Sequence, residues 1–186
     1  SREAEDFSDW LYDLWRLRCK RRRAVKDDRG DYSPSGGGMG VERTSRDAII
    51  RRIEFARTEL ADLEALAGFD LSRYTADRVA RRNVERMIEN IVNSLSDIGK
   101  IILAQAETEM PESYRGIFEK LGSLGLIEAE LSTRLADMTR LRNILAHQHP
   151  DIKWKYIEAF LSQGRADARA FLERTEEWLA SLTPGP

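Results

Sequence analysis

The sequence contains few of the residues from which disulfides and metal sites are built. Cys19 is the single cysteine, so no internal disulfide can form and no cysteine cluster is present to bind zinc. This cysteine usage is typical of a reducing compartment, and we expect a cytoplasmic protein. No apolar run approaches membrane-spanning length, so we expect neither a signal peptide nor a membrane partner.

The sequence also lacks an excess of charge of one sign. Its 186 residues carry a formal net charge of −2, with 41% hydrophobic and 33% charged residues. This composition is typical of a highly charged, helix-rich protein, and the length favours one domain with a substantial core. The charge balance gives no global signal for nucleic-acid binding.

Histidine is equally scarce, and its placement is informative. Both histidines, His147 and His149, closely follow Arg142 and Asn143. Histidine gains and loses protons near neutral pH, and arginine is the side chain best shaped to hold a phosphate. A proton carrier and a phosphate holder in one short stretch indicate phosphodiester chemistry.

Helical spacing predicts the geometry of this stretch. The helical spacing of four apolar residues predicts an amphipathic helix over 127–147: Leu131, Leu135, Met138 and Leu145. The same spacing places Arg142 on or beside the buried face of this helix, where a charge needs a partner. Asn143 and His147 then share one face. Because Pro150 disfavours helical geometry at His149, the helix ends near His147 or Gln148, where the helix dipole favours a protonated ring.

The spacing from Arg142 to His147 resembles the R-x4-H motif of HEPN domains, and the wider chain resembles HepT toxins of toxin–antitoxin pairs. Residues 84–92 and 97–99 resemble the long second helix of that family. Residues 114–121 and 125–127 resemble its short third helix and the following turn. The likeness covers 44–183.

This resemblance implies a metal-independent ribonuclease toxin that needs no cofactor. It implies an RNA substrate cleaved by 2′-hydroxyl attack at a homodimer cleft. His147 is then the general acid or base, Arg142 stabilises the charge that develops on phosphorus, and Asn143 orients His147 or the phosphate.

The motif of HepT proteins commonly ends in tyrosine, to which a partner nucleotidyltransferase antitoxin adds AMP. His149 occupies that position here and has no phenol. It either supplies the second proton transfer or only packs beside Pro150. A non-catalytic module that binds RNA or nucleotide, or mediates assembly, is the alternative for the whole domain. A metal site is disfavoured, because His147 and His149 lack a third and a fourth ligand at suitable spacing.

The rest of the chain predicts an all-α, up-and-down bundle of roughly four to five helices. The first helix is expected from Thr44 or Ser45 to about Ala67, and the second from a loop at 70–74 to about Glu107. The second helix carries a heptad-like apolar seam: Val84, Ile88, Ile91, Leu95, Ile98 and Ile102. A neighbouring polar stripe that includes Asn90 and Asp97 either lines the catalytic cleft or is a solvated face. A last helix is expected over 151–182.

The first residues do not resemble the family. We predict an appended amphipathic and basic helix over 1–26 and a Gly/Ser/Pro-rich linker over 27–43, which precede the domain at 44–183. The helix has an apolar face that includes Phe7, Trp10, Leu14 and Trp15. This face either docks on its own domain or fills a groove of a partner, and the basic residues offer RNA or membrane binding as a third interpretation.

Overall fold

A computed structural model describes residues 37–181 except Ala67, Glu107 and Gln148, with side chains from Thr44 onward except Asp151. Every regular element in these ranges is helical, which confirms the predicted all-α class. The helices are α1 (Gly37–Ala65), α2 (Leu71–Ala76), α3 (Arg78–Gln105), α4 (Tyr114–Ser123), α5 (Ala129–Met138), α6 (Arg140–His147), α7 (Pro150–Ala159) and α8 (Arg165–Ser181), with a π-helical turn (Phe160–Gly164) between α7 and α8. The predicted helix at 1–26 lies outside the described residues.

Helix α3 forms the centre of the bundle. It packs against α1, α2, α4, α6 and α8. All members of its predicted seam are buried, and so are five apolar residues of α1: Ile49, Ile53, Ala56, Leu60 and Leu63. Burial of each valine, leucine or isoleucine side chain is worth about 1.5–3 kcal/mol. These seams therefore fix the position of α3, and with it the position of its polar stripe.

The structure corrects the predicted start of the first helix. Helix α1 begins at Gly37 rather than at Thr44 or Ser45, so residues 37–43 of the predicted linker are helical. Adding a residue to an existing helix costs far less than starting one, and the glycines at this end raise that cost only by about 1 kcal/mol each. Residues 27–36 lie outside the described residues.

Two aspartate caps were missed, one at the start of the loop predicted at 70–74 and one shortly after it. The Asp70 carboxylate accepts a hydrogen bond from the Arg73 amide and begins α2. The Asp77 carboxylate accepts bonds from the Val79 and Ala80 amides and begins α3. Aspartate is a preferred N-cap because it satisfies backbone donors that have no partner within the helix. The predicted loop is therefore a short helix.

The predicted helix over 127–147 is two helices that meet at Thr139. The buried Thr139 hydroxyl donates to the Ala136 carbonyl at 2.7 Å. Such a bond to the preceding turn offers the backbone an alternative to helical pairing. The residues from Arg142 to His147 all lie after this break, in α6.

The predicted last helix is also interrupted, by the π-helical turn. Gly164 is buried there, and a β-carbon at Gly164 would lie 2.7 Å from the Phe160 ring. Six apolar side chains of this stretch are buried: Ile157, Phe160, Ala168, Phe171, Leu172 and Leu179. None of the described helices has the length and apolar character needed to cross a membrane.

Candidate active site

Helix α6 ends at His147, the last residue of the R-x4-H motif. His147 is exposed, and His149 is extended (φ −67°, ψ 149°) as the residue before α7. Both positions match the prediction from Pro150. The structure therefore places a solvent-accessible imidazole at a helix C-terminus, with a second exposed imidazole just beyond it.

Arg142 is half-buried, as the helical spacing of the neighbouring apolar residues predicted. Its guanidinium carbon lies 4.6 Å from the centroid of the Tyr114 ring. A guanidinium over an aromatic face is attracted by the ring quadrupole, by about 0.5–2 kcal/mol depending on exposure. Among the described residues, Arg142 forms no ion pair with a carboxylate. Its charge is thus held in place without being neutralised.

The same ring carries a second cation. Lys100 Nζ lies 4.5 Å from the Tyr114 centroid, and it also donates to Asp97 Oδ1 at 3.2 Å. Asp97 Oδ2 in turn lies 3.5 Å from Arg52 Nε of α1. We call these five residues the Tyr114 cluster: Arg52, Asp97, Lys100, Tyr114 and Arg142.

The Tyr114 cluster contains an excess of positive charge. Its cations are Arg52, Lys100 and Arg142, whereas Asp97 is its single carboxylate. The side chains of Arg52, Asp97 and Lys100 are 38%, 43% and 39% exposed, so the cluster is open to solvent. A locally cationic surface on a chain with net charge −2 is suited to a phosphodiester.

Helix α4 brings Tyr114 to this place. The Ser113 hydroxyl accepts a hydrogen bond from the Gly116 amide and begins α4 at Tyr114. A β-carbon at Gly99 would lie 2.6 Å from Ile117 Cγ2, so glycine at this position lets α4 approach α3 closely. This approach places the first residue of α4 beside Lys100.

An ion pair joins α4 to α5 next to the cluster. Arg115 donates to Asp137 Oδ1 at 2.6 Å and to Glu119 Oε1 at 2.7 Å. The hydrogen bond to Asp137 and, to a smaller extent, the bond to Glu119 raise the pKa of Arg115 above its ordinary value. Arg115 therefore stays charged but is engaged in contacts between helices.

The two predicted cleft residues differ in their surroundings. Asp97 joins the Tyr114 cluster, as described above. Asn90 instead donates to Glu59 Oε1 of α1 at 3.2 Å, and no described contact ties it to Arg142. The two residues lie about 10.5 Å apart along α3 by ideal helix geometry. Asn143 is exposed beside the motif.

Arg142 and His147 do not face one point from a single helix. Residues five positions apart lie about 140° apart around an ideal helix and about 7.5 Å apart along it. This agrees with their different burial, half-buried for Arg142 and exposed for His147. Asn143 and His147 are only about 40° apart. One copy of the motif therefore presents Arg142 and His147 in different directions.

Sequence reasoning missed the contacts of Tyr114 with Arg142 and Lys100. The sequence drew attention to the helix that Tyr114 begins and to the stripe that contains Asp97, but periodicity gives no distance between α3, α4 and α6. Within the described residues, no three His, Cys, Asp or Glu side chains lie close enough to hold a metal ion.

The helical order and the motif at the end of α6 define a HEPN-type domain, and the comparisons place the chain within that class. A structure described as tri-AMPylated Shewanella oneidensis HEPN toxin in complex with MNT antitoxin superposes with a TM-score of 0.64, at 24% identity, over 70% of this chain and 98% of that one. At this identity, the superposition shows a common fold.

Two curated relatives match this chain over most of their own length. The mRNA nuclease HepT of Shewanella oneidensis is 24% identical over 127 residues, which are 68% of this chain and 95% of that protein. The tRNA nuclease HepT of Aphanizomenon flos-aquae is 22% identical over 134 residues, 72% of this chain and 91% of that protein. The profile of the family described as ribonuclease HepT-like matches residues 56–175. The chain belongs to this family, which confirms the resemblance drawn from the sequence.

Proposed function

We propose that this protein is a metal-independent ribonuclease toxin that cleaves RNA with its R-x4-H motif. Its relatives are nucleases named for mRNA and tRNA. The observation that carries the proposal is the half-buried Arg142, held by the Tyr114 ring without a neutralising carboxylate. An arginine in this state is available to a phosphate, and the exposed His147 ends the same helix.

The chemistry is an internal transphosphorylation. A base takes the proton of the ribose 2′-hydroxyl, and the 2′-oxygen forms a bond to the adjacent phosphorus. The bond from phosphorus to the 5′-oxygen breaks, and an acid protonates that oxygen. The products are a 2′,3′-cyclic phosphate and a 5′-hydroxyl, so no water is consumed in this step.

The residue roles follow from this scheme. His147 acts as general acid or base, which is worth about 10²–10⁴-fold in rate. Arg142 stabilises the developing negative charge on phosphorus, and Asn143 orients His147 or the phosphate. The scheme needs two proton-transfer groups. His149 is one candidate for the second, and His147 of another copy is the other.

A homodimer cleft can combine Arg142 and His147 from two copies of α6 in one site, which a single copy does not do. Because Arg142 and His147 point in different directions on one helix, a complete site is more readily formed when two motifs face each other. We infer that two copies meet along the surface that carries the Tyr114 cluster and His147. We also infer regulation by a nucleotidyltransferase antitoxin, because the solved relative is bound to an MNT antitoxin.

His147→Ala is the direct test of the catalytic role. We expect RNA cleavage to fall by about 10²-fold or more, while the melting temperature changes little because the ring is exposed. The measurement is the cleavage rate of a mixed-sequence single-stranded RNA, with Gln163→Ala as a control at an exposed position. Equal rates for His147→Ala and the unaltered chain would instead support a module that binds RNA without cleaving it.

A further inference from the structure

Tyr114 is the one described aromatic side chain that contacts the motif arginine. It lies at the first position of α4, where the Ser113 cap and the close approach of Gly116 to Pro111 fix the backbone. The ring itself is half-buried. Its place is therefore set by α4, and the place of Arg142 depends on the ring.

The Tyr114 ring contacts two cations rather than one. Lys100 Nζ and the Arg142 guanidinium carbon lie 4.5 Å and 4.6 Å from its centroid. The two cations therefore lie no more than about 9 Å apart, a distance at which like charges still repel each other, and of the two, Asp97 contacts only Lys100. An anion bound beside the two cations would relieve that repulsion, and a phosphodiester is the anion that the proposed reaction requires.

The use of a ring instead of a carboxylate has a chemical consequence. A carboxylate that held Arg142 would occupy its N–H donors and compete with a phosphate. A ring attracts the guanidinium through its face and leaves the N–H donors at the guanidinium edge available. The contact can thus orient Arg142 while the charge remains available to the substrate.

We propose that Tyr114 is a positioning residue whose ring holds Arg142 and Lys100 as a pair of phosphate-binding cations. The inference deepens the proposed function and rests on it. Tyr114 itself transfers no proton in this scheme. Its contribution is the ring, so phenylalanine is sufficient at this position and an aliphatic side chain is not.

The first arm of the test compares Tyr114→Phe with Tyr114→Leu at saturating RNA in single turnover. We expect Tyr114→Phe to cleave within about twofold of the unaltered chain and Tyr114→Leu to be slower by about tenfold, the order of a lost cation–π contact. Equal slowing in both variants would assign the effect to the hydroxyl and overturn the proposal. Full activity of Tyr114→Leu would also overturn it.

A mutant cycle separates positioning from general destabilisation. If Tyr114 acts through Arg142 and Lys100, Tyr114→Leu has little further effect on cleavage in a background that carries both Arg142→Ala and Lys100→Gln. A structural defect would instead slow this triple variant by the same factor again, and this result would contradict the proposal.

A binding arm keeps the inference testable if the proposed function fails. The probe is a 2′-O-methyl RNA, which cannot be cleaved by 2′-hydroxyl attack. We expect Tyr114→Leu, Arg142→Ala and Lys100→Gln each to weaken its binding. Lys100→Gln should also reduce the salt slope by about one, whereas Lys155→Gln, at an exposed lysine outside the cluster, should not.

The cleavage measurement and the binding measurement distinguish failure of the proposed nuclease from failure of the proposed cation pair. Absence of cleavage by the unaltered chain, with these binding differences intact, would reject the nuclease and support the cation pair. Equal binding by all variants would overturn the cation pair, whether or not the chain cleaves RNA.

Discussion

At the scale of single residues, Arg142 and His147 are prepared for their roles in different ways. Arg142 is half-buried and held by an aromatic ring, which restricts its position before any substrate binds. His147 is exposed at the end of a helix, where it can exchange protons with solvent and reach a substrate. Preorganisation of the charged group and access to the proton carrier are both requirements of the proposed reaction.

His149 is the residue whose role can be tested most simply. Its side chain is exposed, so its removal should leave the buried core of the fold intact. If it supplies the second proton transfer, His149→Ala should slow cleavage by about 10²-fold at neutral pH.

His149→Gln is the matched variant for this prediction. Glutamine can donate a hydrogen bond but does not titrate near neutral pH. Both variants should therefore be slow. Activity of His149→Gln equal to that of the unaltered chain would show that His149 contributes hydrogen bonding or packing and transfers no proton.

At the scale of helices, an ion pair fixes α7, the helix that follows the motif. Lys153 Nζ of α7 lies 3.0 Å from Glu85 Oε2 of α3, and these side chains are only 14% and 18% exposed. Glu85 Oε1 also accepts a hydrogen bond from the Tyr74 hydroxyl of α2 at 2.7 Å. One carboxylate therefore joins three helices beside the segment that contains His149.

Glu85→Ala should destabilise the protein by about 1–3 kcal/mol, because it leaves the Lys153 ammonium and the Tyr74 hydroxyl without this partner. For a domain of this size, the melting temperature should fall by about 2–10 °C. Glu89→Ala is the matched control on α3, since its pair with Arg86 is a surface pair worth at most about 1 kcal/mol. Equal melting temperatures for the two variants would contradict the proposed role of Glu85.

The helices were largely predictable because burial imposes a period on the sequence. The seams of α1 and α3 and the end of α6 at His147 followed from apolar spacing and from Pro150. The breaks at Thr139 and at the π-helical turn were not predictable, because each depends on a local backbone choice inside a continuous apolar pattern. The start of α1 was missed because glycines weaken a helix without preventing it.

The candidate site was predictable only in part. The motif residues were evident because both histidines lie beside one arginine. The contact of Arg142 with Tyr114 joins residues that are distant in sequence, and it depends on the close approach of α3 and α4 at Gly99. No spacing rule encodes that approach, although a glycine within a long apolar seam is consistent with it.

At the scale of the whole molecule, the proposal requires two copies of the chain. Mixing Arg142→Ala with His147→Ala tests this requirement, because a mixed dimer contains one intact arginine and one intact histidine in different chains. If the site is formed across a cleft, the mixture should recover measurable cleavage that neither variant shows alone. The measurement is the initial rate after the two variants are unfolded and refolded together.

Two results would contradict the cleft. An inactive mixture, with mixed dimers verified by mass spectrometry, would contradict a cleft in which Arg142 of one chain acts with one His147 of the other. Cleavage by a chain that stays monomeric in sedimentation at the assay concentration would show that each site uses one chain.

The most direct test of 2′-hydroxyl attack assisted by His147 is the chemical identity of the cleaved RNA ends in the presence of EDTA. We expect cleavage without added metal, 2′,3′-cyclic phosphate and 5′-hydroxyl ends, and loss of both products in His147→Ala. Cleavage that requires a divalent metal, or that yields 5′-phosphate ends, would contradict 2′-hydroxyl attack assisted by His147.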